Sequence, residues 1–354
     1  MASLRSWTSS KLLWPLAALG VLLLFNFFLT PNFFHVEVKQ GHLYGNLIDI
    51  LKNAAPIMLI AIGLTLVIAT KGIDISVGAV VAITANMVAV LLGGDLEGVA
   101  RNPHAVAVLG ALGVAAACGL WNGLLVSRLG MQPIIATLIL FVAGRGIAMV
   151  LTDGLQIWLY HKPFAIYGQG YWLGLPFSLY MVAALLILTA IVTRRTAIGL
   201  YIESVGINPT AARFSGISAK NIILGAYVFT GFCAGLSGLV ALSTTMNADG
   251  NNLGRLFELD AILAVVLGGT SLNGGKFYLL GSMIGALIIQ TLTTTIYAYN
   301  VPPEIAQIFK AGVVYVVSLL QSARLRRMVM AKLGGWTRPR GNRGSGSESE
   351  GVAA

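Results

Sequence analysis

Ten separate runs of apolar residues constrain this chain more than any motif does. They occupy roughly residues 12–30, 54–70, 75–93, 105–127, 134–151, 176–193, 221–245, 259–272, 277–298 and 304–321. A helix crossing the hydrocarbon needs about 17–25 residues and satisfies its backbone polar groups internally, which a lone strand in lipid cannot do. Composition agrees: 56% of the residues are hydrophobic and 10% charged, against about 25% charged in a soluble domain. The 42 glycines suit close helix packing, and the period-two pattern of a barrel is absent. The expected fold is therefore all-α: a polytopic membrane protein of about ten transmembrane helices. The run at 259–272 is short for a span and predicts a broken or partly re-entrant segment.

The first run follows Arg5 and Lys11 but ends in TPNFF without a small-residue cleavage site, so it reads as a retained helix. Cys118 and Cys233 lie inside apolar runs without CxxC spacing, which predicts buried, inert thiols.

Alternating the loops across the membrane, with the N-terminus on side one, puts 16 of the 23 basic residues on that side: Arg5, Lys11, Lys71, Arg128, Arg194, Arg195, Arg213, Lys220, Lys276 and seven from Arg324 to Arg343. Side two collects Lys39, Lys52, Arg101, Lys162 and Arg255, while Arg145 and Lys310 fall inside runs. By the positive-inside rule side one is cytoplasmic and both termini are inside. The net charge of +10 is explained by cytoplasmic loops beside an anionic leaflet, and no nucleic-acid partner is expected. Residues 1–11 read as a cytoplasmic N-terminus, 12–322 as the transmembrane domain and 323–354 as a basic tail ending in a polar, Gly/Ser-rich, disordered stretch.

Charged residues inside the runs need partners. Asp74, in KGIDISVGA, is nearly enclosed by apolar sequence, where an unpaired carboxylate costs about 2.5–3.5 kcal/mol. It can cap a helix starting at Ile75 or Ser76 by accepting its orphan amides, or it can take part in gating a pathway. Arg145 stands between Gly144 and Gly146 and calls for an interior partner such as Asp74, Asp153 or a helix-end carbonyl. On side two, NADGNNLGRLFELDAI gathers Asp249, Asn251, Asn252, Arg255, Glu258 and Asp260. Such a cluster can receive an external protein, line an outer mouth through hydrogen bonds to hydroxyls, or start the helix at 259. Asn251, Asn252 and Arg255 suit the first role, and for Glu258 and Asp260 helix N-terminal charge is the simpler explanation.

The largest side-one loop, 194–220, holds LYIESVGINPTAARFSGIS at 200–218. Asn208 before Pro209 predicts a short helix over 209–214, stopped by Gly216. Exposing Glu203 and Arg213, it fits either an ordinary positive-inside loop or a docking element for a soluble partner.

Catalysis finds no footing: HExxH, GxSxG and Walker motifs are absent, and His35, His42, His104 and His161 scatter over side two. GGTSLNGGK at 268–276 lacks GxxxxGK[ST] spacing and a preceding strand, so it reads as a tight turn. Its rough likeness to ATKGIDISVG hints at an internal repeat. No metal site is expected.

Three stretches resemble one family. ESVGINPTAARFSGI looks like the cytoplasmic coupling loop of ribose-type ABC sugar-importer permeases, with Ser204 where that family often has Ala. AIGLTLVIATKGIDISVGA at 61–79 and FELDAILAVVLGGTSLNGGKF at 257–277 match the same family in the same order, and the outer loop is most similar to galactofuranose permeases. Lys71-Gly72 departs from the usual Gly-Gly.

The resemblance implies a permease subunit without its own ATPase or cofactor, in a bacterial inner (plasma) membrane. It implies a cytoplasmic ATP-binding partner carrying ATP and Mg, a periplasmic sugar-binding protein, and a second permease that is a copy or a paralogue. It places ATPase coupling on Glu203, Gly206, Asn208, Ala211, Ala212, Arg213, Ser215 and Gly216, and pathway or gating roles on Asp74, Ser76 and Arg145. Arg213→Glu or Gly206→Pro should then leave the chain inserted and stable but uncoupled. Rival readings are a branched-chain amino-acid permease of the same architecture and a proton-coupled transporter relaying through Asp74, Arg145 and Lys310. A hydrolase built on Asp74 and Asp260, or a passive structural membrane protein, fits less well.

Overall fold

The computed structural model describes residues 12–29, 33–39, 41–93, 102–299, 302, 305, 307–312 and 315. The N-terminal segment 1–11, the tail 323–354 and most of the tenth apolar run lie outside the described residues.

The first helix, α1 (Leu13–Leu29), follows the first apolar run. A short ribbon of β1 (Glu37–Lys39) and β2 (His42–Tyr44) precedes α2 (Asn46–Ala69). Next come α3 (Val77–Leu92), α4 (His104–Ser127) and α5 (Pro133–Leu151), the last opened by Pro133 in its first turn. Side-two loops hold β3 (Ile157–Trp158), a 3₁₀ turn at Lys162–Ala165, α6 (Ile166–Gln169), β4 (Tyr171–Trp172) and β5 (Leu175–Pro176). Then follow α7 (Phe177–Arg195), α8 (Ile198–Ile207), α9 (Pro209–Phe214) and α10 (Ala219–Thr245). The chain continues through β6 (Asn247–Ala248), α11 (Phe257–Leu267) and α12 (Leu279–Ala298). Among the described residues the strands form three two-stranded antiparallel ribbons, β1–β2, β3–β6 and β4–β5.

Among the described residues, six helices are long and apolar enough to cross a membrane: α2, α4, α5, α7, α10 and α12. The first and third runs form the shorter apolar helices α1 and α3. The run at 259–272 becomes the 11-residue α11, whose length of roughly 16 Å covers about half the hydrocarbon.

Helix α2 is the hub. Its residues from Ala54 to Ala69 are all buried, and it packs against α7, α10, α11 and α12. By contrast α4, α5 and α7 keep most of their apolar surface outward, as helices facing lipid or another subunit do. Close approach relies on small residues. A side chain at Gly63 would meet the Thr230 backbone, and one at Gly231 would meet the Ala115 carbonyl oxygen. Cys233 is buried as expected, whereas Cys118 is only half-buried; both are free thiols.

Loop contacts sort the connections into two groups. Arg128 bonds Asn221, Lys71 bonds the Ile207 carbonyl and Gly275 N–H bonds the Ala69 carbonyl. In the other group Gln156 bonds Asp249, His104 meets His161, and Leu43 N–H bonds the Gly174 carbonyl. These are the two sets that loop alternation separates in the sequence. The histidines are less scattered than expected, since the rings of His104 and His161 stack with centroids 5.4 Å apart.

Candidate functional site

Two polar sites emerge, one where side-one loops meet and one inside the bundle. At the first, the loop over 194–220 folds as two helices rather than one. The helix over 209–214 forms as its residues predict. Asn208 Oδ1 accepts from the amides of Thr210 at 3.0 Å and Ala211 at 3.1 Å, Pro209 fills the first turn, and Gly216 ends the helix at φ 82°. The additional helix α8 was concealed because its short apolar start, AIGLYI, follows Arg194, Arg195 and Thr196 and its N-cap, Ala197, offers no side-chain cap.

The helix pair has a buried and an open face. Ala212 and Gly206 are buried and Glu203 is half-buried, while Asn208, Ala211, Arg213, Ser215 and Gly216 are exposed. Phe214 is 89% exposed, a large apolar side chain left outward that the sequence reading did not single out.

Gly206 lies under the end of α2: a Cβ there would stand 1.9 Å from the Ala69 carbonyl oxygen and 2.5 Å from the Gly275 amide nitrogen. That Gly275 N–H donates to the same Ala69 carbonyl at 2.8 Å. Lys71 Nζ donates to the Ile207 carbonyl at 3.0 Å, and Lys71 itself holds φ 63°, a conformation that glycine adopts without cost. All three resembling stretches therefore converge on one junction, and the 268–276 segment is the expected turn within it. This close approach corrects the expectation for Gly206→Pro. Any side chain there must displace backbone, so Arg213→Glu is the substitution that leaves packing alone.

The second site surrounds the first turn of α3. After Lys71 the chain runs without regular secondary structure from Gly72 to Ile75, and Ser76 is already helical in backbone (φ −81°, ψ −10°) before Val77 starts the helix. Asp74 is buried, and its Oδ1 accepts from the Ser76 amide at 2.9 Å and the Ser76 hydroxyl at 2.7 Å. Buried Asn122 reaches both, donating to Ser76 Oγ at 2.8 Å and to Asp74 Oδ1 at 3.4 Å. Asp74 thus satisfies the amide just ahead of the helix without a cation. Arg145 is partnered by neither Asp74 nor Asp153, and its Nη1 donates to the Leu253 carbonyl at 2.6 Å.

That contact draws the outer loop inward. Gly254 and the Glu258 carboxylate close on Gly78, where a Cβ would stand 1.9 Å from Glu258 Oε2. The segment before α11 therefore folds down against the start of α3, and both helices begin inside the bundle. Helices with inward N-termini aim their positive dipole ends at the interior.

Glu258 is buried there, with Oε2 lacking a hydrogen-bond partner among the described residues. Asp260 instead pairs with Lys310 at 2.9 Å. Asn251, Asn252 and Arg255 remain exposed in this loop. Asp249, given no separate role in the sequence, organises this loop. Its Oδ1 accepts from the Asn251 and Asn252 amides at 2.9 and 3.1 Å, and its Oδ2 from Asn252 Nδ2 at 2.7 Å and Gln156 Nε2 at 3.0 Å. Burial alone would raise its pKa, but these donors outweigh it and hold the carboxyl below its ordinary value. Among the described residues, no group of three or more His, Cys, Asp or Glu side chains could hold a metal ion.

Residues 46–318 match the family described as branched-chain amino acid transport system / permease component. The chain belongs to this permease family. Among its relatives is the galactofuranose transporter permease YtfT of Escherichia coli strain K12, 45% identical over 322 residues, covering 89% of this chain and 92% of the relative. The fructose import permease FruF of Bifidobacterium longum strain NCC 2705 is 38% identical, covering 90% of each chain. The ribose import permease RbsC of Escherichia coli strain K12 is 34% identical, covering 87% of this chain and 93% of the relative. No solved structure matches. The permease match spans both the α8–α9 junction and the polar site around α3, so neither is an appendage to the shared domain.

Proposed function

We propose that this permease is the membrane subunit of a binding-protein-dependent ABC importer that admits a monosaccharide, of the galactofuranose, ribose or fructose kind, across a bacterial inner membrane. The relatives named for those sugars favour sugar over amino acid. The full architecture has about ten transmembrane helices with both termini in the cytoplasm, because the basic residues concentrate on that side. Its partners are a second permease, a cytoplasmic ATPase holding ATP and Mg, and a periplasmic receptor that meets the exposed Asn251, Asn252 and Arg255.

The observation that carries this reading is the two-faced α8–α9 pair. Gly206 and the Ile207 carbonyl lock its inner face to Ala69, Lys71 and Gly275, while Arg213, Phe214 and Ser215 stand free for an ATPase. A sugar shifts an inward/outward equilibrium only by its differential affinity for the two states, so ATP must bias it through such a contact. From the junction the short segment after Lys71 leads to Asp74, Ser76 and the first turn of α3, where Arg145 and Glu258 also converge. Each group of the rival proton relay has a different partner: Lys310 has Asp260, Arg145 has Leu253, and Asp74 has Ser76.

Affinity purification from native membrane in mild detergent, with mass identification of what accompanies the chain, tests the reading. Recovery of a cytoplasmic ATPase and one further permease chain is expected. Repeated recovery of the protein alone, even after crosslinking, removes the proposal in favour of a secondary transporter.

A further inference from the structure

Between α7, α8 and α10 lies an open groove of about 430 Å³, walled chiefly by Leu66, Leu188, Val192, Ile202, Ile222 and Phe229. Its threonines add almost no polarity. The Thr189 hydroxyl donates to the Leu185 carbonyl at 2.7 Å and that of Thr193 to the Thr189 carbonyl at 2.8 Å, so each is satisfied by its own helix. What the groove offers is hydrocarbon, and α7 and α10 are both candidate spans, so its mouth opens at bilayer depth.

One end of the groove differs. Thr193 and Asn221 line it there. Arg194 and Arg195 follow Thr193, Lys220 precedes Asn221, and Arg128 donates to Asn221 Oδ1 at 2.6 Å. All four cations are exposed. A basic rim where an apolar groove meets the inner surface complements a phosphate head carrying a hydrocarbon tail. The same rim disfavours a second copy of this chain on this face, because two such rims would repel.

We propose that this groove holds an acyl chain of an anionic phospholipid of the inner leaflet, its phosphate against Arg194, Arg195 and Lys220. The proposal rests on the bilayer embedding and orientation given above, and not on the sugar or the ATPase.

The full-length permease is placed in nanodiscs of mixed phosphatidylglycerol and phosphatidylcholine, with a tracer phosphatidylglycerol bearing a photoreactive acyl chain. Crosslinked peptides are mapped and retained lipid is measured by native mass spectrometry. Crosslinks are expected within 188–202 and 221–229, with phosphatidylglycerol retained over phosphatidylcholine. Gly225→Leu should abolish those crosslinks: a Cβ at Gly225 meets nothing within 4 Å, so the added side chain enters the groove without disturbing the helices. Arg194→Gln with Arg195→Gln, both at exposed positions, should lower the preference for phosphatidylglycerol about 30-fold. This second variant decides the matter if Gly225→Leu fails to fold. Equal retention of the two lipids, crosslinks indifferent to both variants, or protein-to-protein crosslinks at Ile202 and Phe229 in place of lipid would each overturn the assignment. Because this readout needs no partner protein, its failure is distinct from failure to recover an ATPase.

Discussion

Lys310 Nζ sits 2.9 Å from Asp260 Oδ2 and 3.1 Å from Oδ1, with the two side chains only 19% and 14% exposed. The pair ties the last apolar segment to the half-length α11. Removing one partner strands a charge in a low-dielectric site, which costs about 3–5 kcal/mol, whereas replacing both with neutral groups costs far less. Lys310→Met should therefore lower the melting temperature in detergent more than Lys310→Met combined with Asp260→Asn. A double variant less stable than either single one would show that the pair is not what holds these segments together.

Lys71 occupies a left-handed backbone conformation while its ammonium holds the Ile207 carbonyl. Relieving the strain gains about 1 kcal/mol, and losing one exposed hydrogen bond gives back about as much. Lys71→Gly should thus leave thermal stability within about 1 kcal/mol of the parent. In a reconstituted transporter it should lower the sugar moved per ATP hydrolysed, because the α8–α9 pair loses a tie to the segment leading to Asp74. Lys71→Met separates the two effects, keeping the strain but not the bond.

Much of the membrane-embedded body was legible because a bilayer leaves the backbone few options, and runs such as 105–127 and 134–151 map directly onto α4 and α5. The α9 cap was equally legible, since Asn208, Pro209 and Gly216 each act on adjacent backbone. Harder to see was anything set by packing between distant segments. Nothing local marks Gly206 as lying against Ala69, or Leu253 as the acceptor for Arg145. The inward fold of the loop before α11 escaped for the same reason. Its polar residues read as an outer surface, yet Glu258 points into the bundle beside Gly78. Helix α8 was hidden because Ala197, at its start, supplies no side-chain cap and its short apolar stretch lies between charged loop residues.

Asp74 separates capping from gating by its choice of substitute. Asn at this position keeps an oxygen for the Ser76 amide and hydroxyl, whereas Ala leaves both of those donors without their acceptor in a buried site, Asn122 keeping only its bond to Ser76 Oγ. Each abandoned buried group costs about 1–3 kcal/mol. Asp74→Ala should reduce the yield of folded protein sharply and Asp74→Asn much less. If the carboxylate serves only as a cap, Asp74→Asn also keeps its uptake rate. Folded protein that transports nothing would assign the charge itself to the pathway.

Asp249 gives the outer loop a defined acid sensitivity. Donors from Asn251, Asn252 and Gln156 hold its carboxyl below the ordinary value despite partial burial. A native pKa lower than the unfolded one contributes stability that is fully present above the ordinary carboxylate pKa of about 4 and is lost as pH falls through the lower native value. Cleavage of the 247–256 segment by an acid-tolerant protease should accordingly be slow at pH 6 and accelerate only below roughly pH 4. Asp249→Asn carries no titrating group, so its cleavage rate should lack that acid step while being faster at neutral pH, where the charge-assisted bonds are missing. An identical acid profile in parent and variant would mean that the loop's order comes from the β3–β6 pairing of Ile157 with Ala248 rather than from this carboxylate.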